Sequence, residues 1–323
     1  MLGRGCIRAA LAAAIVALAA VPTGASAARD GSPFPGRALF VDPESNAARQ
    51  AEEWRATRPA DAAIMDRIAA QPQADWFGDW NDRIRRTVAA RVNQIVDAGA
   101  LPVLVAYNIP LRDCGGYSSG GAKSPRVYRK WIRRLARGIA RRRAAVVLEP
   151  DALAAIDCLR PKRRRTRLRL LAKAVRVLHS RTGASVYLDA GHSAWQPAER
   201  MAKRLRRAGV RRARGFALNV SNFQRTDSEI AYGRRIASST GGKHFVVDVS
   251  RNGAGPAPDL EWCNPPGRAL GGPPGTASDP LVDALLWVKP PGESDGECNG
   301  GPAAGEWWPE YALGLARRAP WGG

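Results

Sequence analysis

Short runs rich in Val, Ala and Leu alternate along this chain with longer segments in which apolar residues recur every third or fourth position. The first kind reads as buried strand, the second as a helix packed by one face. Strands are predicted over 38–41, 74–77, 101–107, 145–149, 185–189, 216–220, 244–249 and 285–288. Helices are predicted over 45–70, 81–98, 125–143, 162–180, 197–208, 227–239 and 305–318. In the 125–143 helix Val127, Trp131, Leu135 and Ile139 form the inward stripe, and Pro125 suits its first turn. Strand and helix alternate about eight times, which argues an α/β fold with parallel strands, and the count favours a barrel of seven to eight strands over an open sheet. No GxGxxG or P-loop follows a strand, so a nucleotide-binding sheet has no support.

The pattern centres on Val103 to Cys158. It opens as VLVAYNIPLRDCGG and closes as AVVLEPDALAAIDC, so two apolar runs each stop abruptly at acids, a proline and a cysteine. Asp113 and Asp151 fall just past the two strands. Asp189, His192, Asn219, Asn222, Arg251 and Asp295 also follow predicted strands, joined by Tyr107, Trp195 and Trp262. In a parallel barrel those ends converge on the catalytic face.

The ends of the chain bound the domain. Arg4 and Arg8, the apolar run 9–21 and Ala25-Ser26-Ala27 read as a secretory signal over 1–27. A Gly/Pro-rich lead-in over 28–38 and one catalytic domain over 39–323 follow. Without Cys6 the exported chain keeps Cys114, Cys158, Cys263 and Cys298, an even set that favours disulfides. Three pairings are open; the local one, Cys114 with Cys158 and Cys263 with Cys298, is preferred because each bridge would tie loops flanking the acids.

The formal charge is +21, and loss of Arg4 and Arg8 leaves +19. Such a balance attracts nucleic acid or an anionic wall polymer. The arginines sit mainly on three helical segments, however, where they fill the solvated face, and no nucleic-acid module accompanies them. No nucleic-acid or membrane partner is therefore expected, and monomer is the default.

The available chemistry narrows quickly. His179, His192 and His244 lie far apart, with no HExxH and no CxxC. No metal and no cofactor are expected. Several carboxylates beside partly exposed rings suit a sugar, whose C–H faces stack on aromatics. Trp54, Trp76, Trp131, Trp287 and Trp307 are assigned to the core.

Seven motifs then appear in order: YNIPLRDCGGYSSGG, LEPDALA, YLDAGHSAW, ALNVSNF, VVDVSRNG, EWCNPPGRALG and WVKPPGESDG. With them the chain resembles glycoside hydrolase family 6, from about Leu39 to Ala319. That resemblance implies a distorted (β/α) barrel and a secreted, inverting endo-β-1,4-glucanase acting on cellulose or a related β-glucan. It implies Asp151 as general acid, Asp113 as the charge that keeps it protonated, and Asp295 as general base. It implies Ser119 and Tyr107 near the water and the distorted sugar. Asp189, His192, Trp195, Asn219, Trp262, Lys289 and Glu293 take sugar-contacting or network positions, and Arg112 is expected to pair with Asp189. The local cysteine pairing is implied as well.

The chain departs from the family pattern at Glu44 and Ala198, where some members carry tryptophan. Processive members roof the cleft with two long loops. Here eleven residues, Gly115 to Pro125, separate Cys114 from Arg126, and Gly296 to Gly305 lead straight into the last helix. An open cleft and internal cutting are therefore expected. The alternatives are an exo-acting cellobiohydrolase of the same family, or a non-catalytic basic protein that binds carbohydrate or polyanion.

Overall fold

A computed structural model describes residues 1, 2 and 31–321. The signal-peptide reading and Cys6 lie outside them. Seven parallel strands form one curled sheet in the order β2-β4-β5-β6-β7-β8-β9. They are β2 (Asp75–Gly78), β4 (Val103–Tyr107), β5 (Arg143–Leu148), β6 (Gly183–Asp189), β7 (Gly215–Leu218), β8 (His244–Asp248) and β9 (Val282–Leu286). Two short strands, β1 (Ala38–Leu39) and β3 (Ala100–Leu101), pair separately. The barrel is not closed by a ladder. Its outer strands β2 and β9 meet through the Ala74 N–H on the Trp287 carbonyl (3.0 Å) and Trp76 Nε1 on the Val288 carbonyl (2.7 Å).

The strands read as continuous apolar runs because both faces are buried. Val105, Tyr107, Val147, Tyr187, Val246 and Leu286 fill the barrel, and Phe34 from the lead-in packs with them. Their neighbours in the pleat, among them Leu104, Val146, Leu148, Leu188, Phe216 and Val247, face the helices. The helices are α1 (Asn46–Trp54), α2 (Pro59–Ala69), α3 (Ile84–Asp97), α4 (Pro125–Ile139), α5 (Pro161–Arg181), α6 (Ala198–Arg207), α7 (Thr226–Ser239) and α8 (Pro309–Arg317).

Three boundaries differ from expectation for a local reason, and one helix turns a different face inward. Pro59 divides the long helix expected over 45–70. Pro102 divides the strand expected over 101–107, and its free carbonyl takes the Ala145 N–H at 2.8 Å. The last strand lies three residues earlier at its start, because Asp283 sits inside it. That carboxylate is buried against Arg214 and the Tyr187 hydroxyl, both at 2.7 Å, so a charged residue interrupts the apolar pattern without interrupting the strand. On α4 the inward stripe is Tyr128, Trp131, Ile132 and Leu135, while Val127 points to solvent.

Candidate active site

The turn after β4 carries Asp113 and the turn after β5 carries Asp151. Neither turn is relaxed. Leu111, Asp113, Cys114, Glu149 and Asp151 all have φ between 53° and 66°, a region that non-glycine residues seldom adopt. Three devices hold the two turns in register. The Glu149 carboxylate accepts the backbone N–H groups of Asn108 (2.9 Å) and Ile109 (2.7 Å). Arg167, reaching up from α5, donates to the carbonyls of Pro110 (3.1 Å), Leu111 (2.6 Å) and Ala152 (3.4 Å), so one guanidinium grips both turns. Finally, Cys114 and Cys158 form a disulfide. Gly116 leaves the room that the Asp113 carboxylate needs, since a Cβ there would stand 2.5 Å from Oδ2.

Among the described residues, Asp151 has no cationic partner. Its burial at the cleft floor holds its carboxyl protonated well above the usual carboxylate range, and the negative charges of Asp189, Asp113 and Asp295 add to that effect in this order. Asp189 is buried directly behind it. Its carboxylate accepts the N–H groups of Asp151 (2.9 Å) and Gly191 (3.0 Å), while burial lifts its own pKa to about 7. Asp113 is raised less, by partial burial, and takes the Ser118 N–H at 2.8 Å. Burial also lowers His192 to about 4, so its ring is neutral.

Arg112 does not pair with Asp189. Its guanidinium lies 2.6 Å from Asp79 and donates to the carbonyls of Tyr107 (2.9 Å) and Ser118 (2.8 Å). Topology explains the choice: Asp79 follows β2, which adjoins β4, whereas Asp189 ends β6, two strands away. Asp79 was not singled out in the sequence, although the GDW that follows the second strand would have been the cue.

The third carboxylate has the opposite surroundings. Asp295 is buried against the fully buried Arg251 (2.9 Å) and accepts the Asn264 N–H at 3.1 Å. The Asn264 side chain takes the Asp295 N–H (2.8 Å) and donates to the Gly296 carbonyl (2.8 Å). The second disulfide, Cys263 to Cys298, closes this loop pair. Lys289 stands 3.7 Å from Glu293 on the same wall.

Asp113, Asp151 and Asp295 share one cleft of about 1110 Å³ with Tyr107, Ser119, His192, Trp195, Trp262, Lys289 and Glu293. Two expected site residues are absent from its lining. Asp189 acts from behind Asp151, and Asn219 is consumed structurally: it bonds Gln224 through both its amide nitrogen and its oxygen, and the Asp248 carbonyl at 2.8 Å. Two tryptophans assigned to the core are in the cleft wall instead. Trp76 packs edge-on to Tyr107 at 5.2 Å, and Trp307 bonds Gln50 at 3.1 Å. A single ring among ten carries no positional signal in sequence, and both are only partly buried. Trp80 and Tyr117 add further rings, and Glu44 lines the outer end. Among the described residues, no group of three or more His, Cys, Asp or Glu side chains is arranged to hold a metal ion.

Carboxylates of unequal environment, set over a ring-lined cleft at the carboxyl ends of parallel strands, define a barrel enzyme that works through acids. The family model of glycosyl hydrolases family 6 matches residues 34–319, and the chain belongs to that family. It is 46% identical over 293 residues to Endoglucanase A of Cellulomonas fimi, covering 90% of this chain and 63% of that protein. It thus spans less than two thirds of that relative's length. It is 44% identical to Endoglucanase 1 of Streptomyces halstedii, over 85% of this chain and 87% of that one. The solved endoglucanase Cel6 from Mycobacterium tuberculosis, in complex with a methyl-cellobiosyl-4-deoxy-4-thio-beta-D-cellobioside, is 48% identical. It superposes with a TM-score of 0.85 over 89% of this chain and 99% of that one.

Proposed function

We propose that this protein is an exported, monomeric, inverting endo-β-1,4-glucanase that cuts internal bonds of cellulose or a related β-glucan. The observation that carries the reading is the contrast between Asp151, half-buried without a cation among the described residues, and Asp295, buried against Arg251 in the same cleft. A carboxyl whose surroundings raise its pKa is suited to donate a proton, whereas an ion-paired carboxylate is suited to accept one.

The reaction follows from those roles. Asp151 gives its proton to the glycosidic oxygen, which leaves as a sugar hydroxyl. A water attacks the anomeric carbon from the opposite face, and the new C–O bond forms as the old one breaks. Its proton passes to Asp295, along a path lined by Ser119 and Asp113. Inverting sites hold donor and acceptor about 6.5–9.5 Å apart to admit that water. The rings of Trp76, Trp195, Trp262 and Trp307 offer stacking faces for successive glucose units, while Lys289 and Glu293 meet hydroxyls. Internal cutting is supported by the short segments after Cys114 and Asp295 and by the endoglucanase names of the relatives above. Export is supported by the pattern of residues 1–27, and the matched span 34–319 supports a domain over 39–323 while reaching five residues into the lead-in over 28–38.

One experiment tests mechanism and mode together. Digestion of a soluble β-1,4-glucan is followed by proton NMR and by viscosity. The α-anomer appearing first, with viscosity falling well ahead of reducing ends, is the expected result. Initial β-anomer would refute inversion, and reducing ends released at constant viscosity would refute endo action.

A further inference from the structure

The positive charge of this chain is not spread over it. Residues 114–214 hold 28 Lys and Arg against 5 Asp and Glu, a net of +23; all other residues hold 22 against 24, a net of −2. The excess lies on α4, α5 and α6 and the turns beneath them. Helices α4 and α5 pack side by side on the outside of β4, β5 and β6, so their outer faces make one surface.

Ordinary solvated helices mix their charges; these do not. Between Cys114 and Leu148 there is no acid at all, and none between Cys158 and Leu188. On α4, Arg129, Arg133 and Arg137 follow one another at i, i+4, as do Arg126, Lys130 and Arg134, and all six are exposed. Like charges at that spacing destabilise a helix. Neither α4 nor α5 has an acid in its first turn, where the helix dipole favours one, and α4 carries Arg126 there instead. On α5, Arg165 and Arg176 are exposed and Arg169 has a 3.4 Å bond to Thr166. Arg164 pairs with Asp157, but among the described residues no acid pairs with the other basic side chains named here, so an external counter-charge would relieve their repulsion.

The rest of the surface says what kind of counter-charge fits. Val127 is the one exposed large apolar side chain on α4 and α5, and neither helix exposes an aromatic. Single-stranded nucleic acid is held on stacking rings, and amphipathic membrane helices by inserted apolar side chains; this face offers neither. It offers rows of guanidinium groups at about one per helical turn, roughly 5–6 Å apart. A guanidinium binds a carboxylate through two parallel N–H donors. We propose that the α4–α5 face binds a carboxylate-bearing polysaccharide, one anionic sugar per turn, independently of the cleft.

Binding of the full chain to soluble polygalacturonate tests this. In 20 mM salt it should bind, weaken at least tenfold by 200 mM, and ignore the fully methyl-esterified polymer. Arg129→Gln, Arg133→Gln and Arg137→Gln combined with Arg165→Gln, Arg169→Gln and Arg176→Gln should weaken binding tenfold or more, with hydrolysis of a neutral soluble glucan within twofold of the parent. The triple substitution on α4 alone should give an intermediate loss, which keeps the test valid if the sixfold variant misfolds by circular dichroism. Unchanged affinity in a folded variant overturns the proposal, as does equal binding of the methyl ester or competition by cellotetraose. Tighter binding of duplex DNA or of phosphatidylserine vesicles at the same salt also overturns it.

Discussion

The two flanks of the cleft use the same residue type in opposite ways. On the β4–β6 side Asp113, Asp151 and Asp189 crowd together while the nearby cations are turned away: Arg112 to Asp79, Arg167 to backbone carbonyls. On the β9 side Asp295 is ion-paired with the buried Arg251, and Glu293 faces Lys289. Burial raises Asp151, Asp189 and Asp113. In the proposed mechanism, what separates the donor from the acceptor is where each arginine is spent.

The comparison breaks most completely at its centre. Asp151→Asn keeps the shape and removes the transferable proton, so activity on soluble β-1,4-glucan should fall by about 10²–10⁴-fold with sugar binding retained, as read by kinetics and calorimetric titration. On the other flank, Arg251→Met leaves Asp295 buried without its cation. Breaking a buried pair costs about 3–5 kcal/mol, so both thermal stability and turnover should drop, and an unchanged melting temperature would count against the pairing argument. Next in size, replacing Cys114 and Cys158 by serine opens a 44-residue loop. A loss of about 2–4 kcal/mol is expected in denaturant titration, with turnover falling further than the Cys263–Cys298 double replacement would cause.

Two smaller effects sharpen the electrostatics. Asp189→Asn removes the charge ranked first after burial in holding Asp151 protonated. Asp151 then ionises at lower pH, so the alkaline limb of the rate profile should move to lower pH; no movement would assign the effect to burial alone. Buried Glu149 and Glu229 both have pKa values lifted by burial from 4.5 to about 7. Between those values the native state binds more protons than the unfolded chain, so stability falls as pH rises through that window. The melting temperature should decline from pH 5 to pH 8, and Glu149→Gln should flatten the decline.

Much of this was legible in the sequence. Alternating strand and helix, the barrel and the three cleft aspartates could be read there, because apolar runs ending in acids are local patterns; of three open cysteine pairings, the preferred one, which the family resemblance also implied, is the one formed. What escaped depends on lateral neighbours. The Arg112–Asp79 pair follows from β2 lying beside β4, which no spacing records. Asn219 reads like its polar companions after other strands, yet its amide serves the backbone of the next loop. Trp76 and Trp307 are rings whose facing is set only once β2 and the final loop meet. Asp283 concealed the start of a strand because its partners, Tyr187 and Arg214, lie 96 and 69 residues away.

The unclosed seam between β2 and β9 bears on how a long substrate is handled. A fully laddered barrel ends in a rimmed bowl, which suits a small molecule that enters and leaves by one mouth. A polymer cut in its middle needs two exits at once. Gln73 and Trp76 on one side of the seam and Lys289 and Glu293 on the other all line the cleft, so its floor runs out across the gap. By leaving one ladder unmade, the fold turns a bowl into a trough whose two sides are joined by the Ala74–Trp287 and Trp76–Val288 hydrogen bonds.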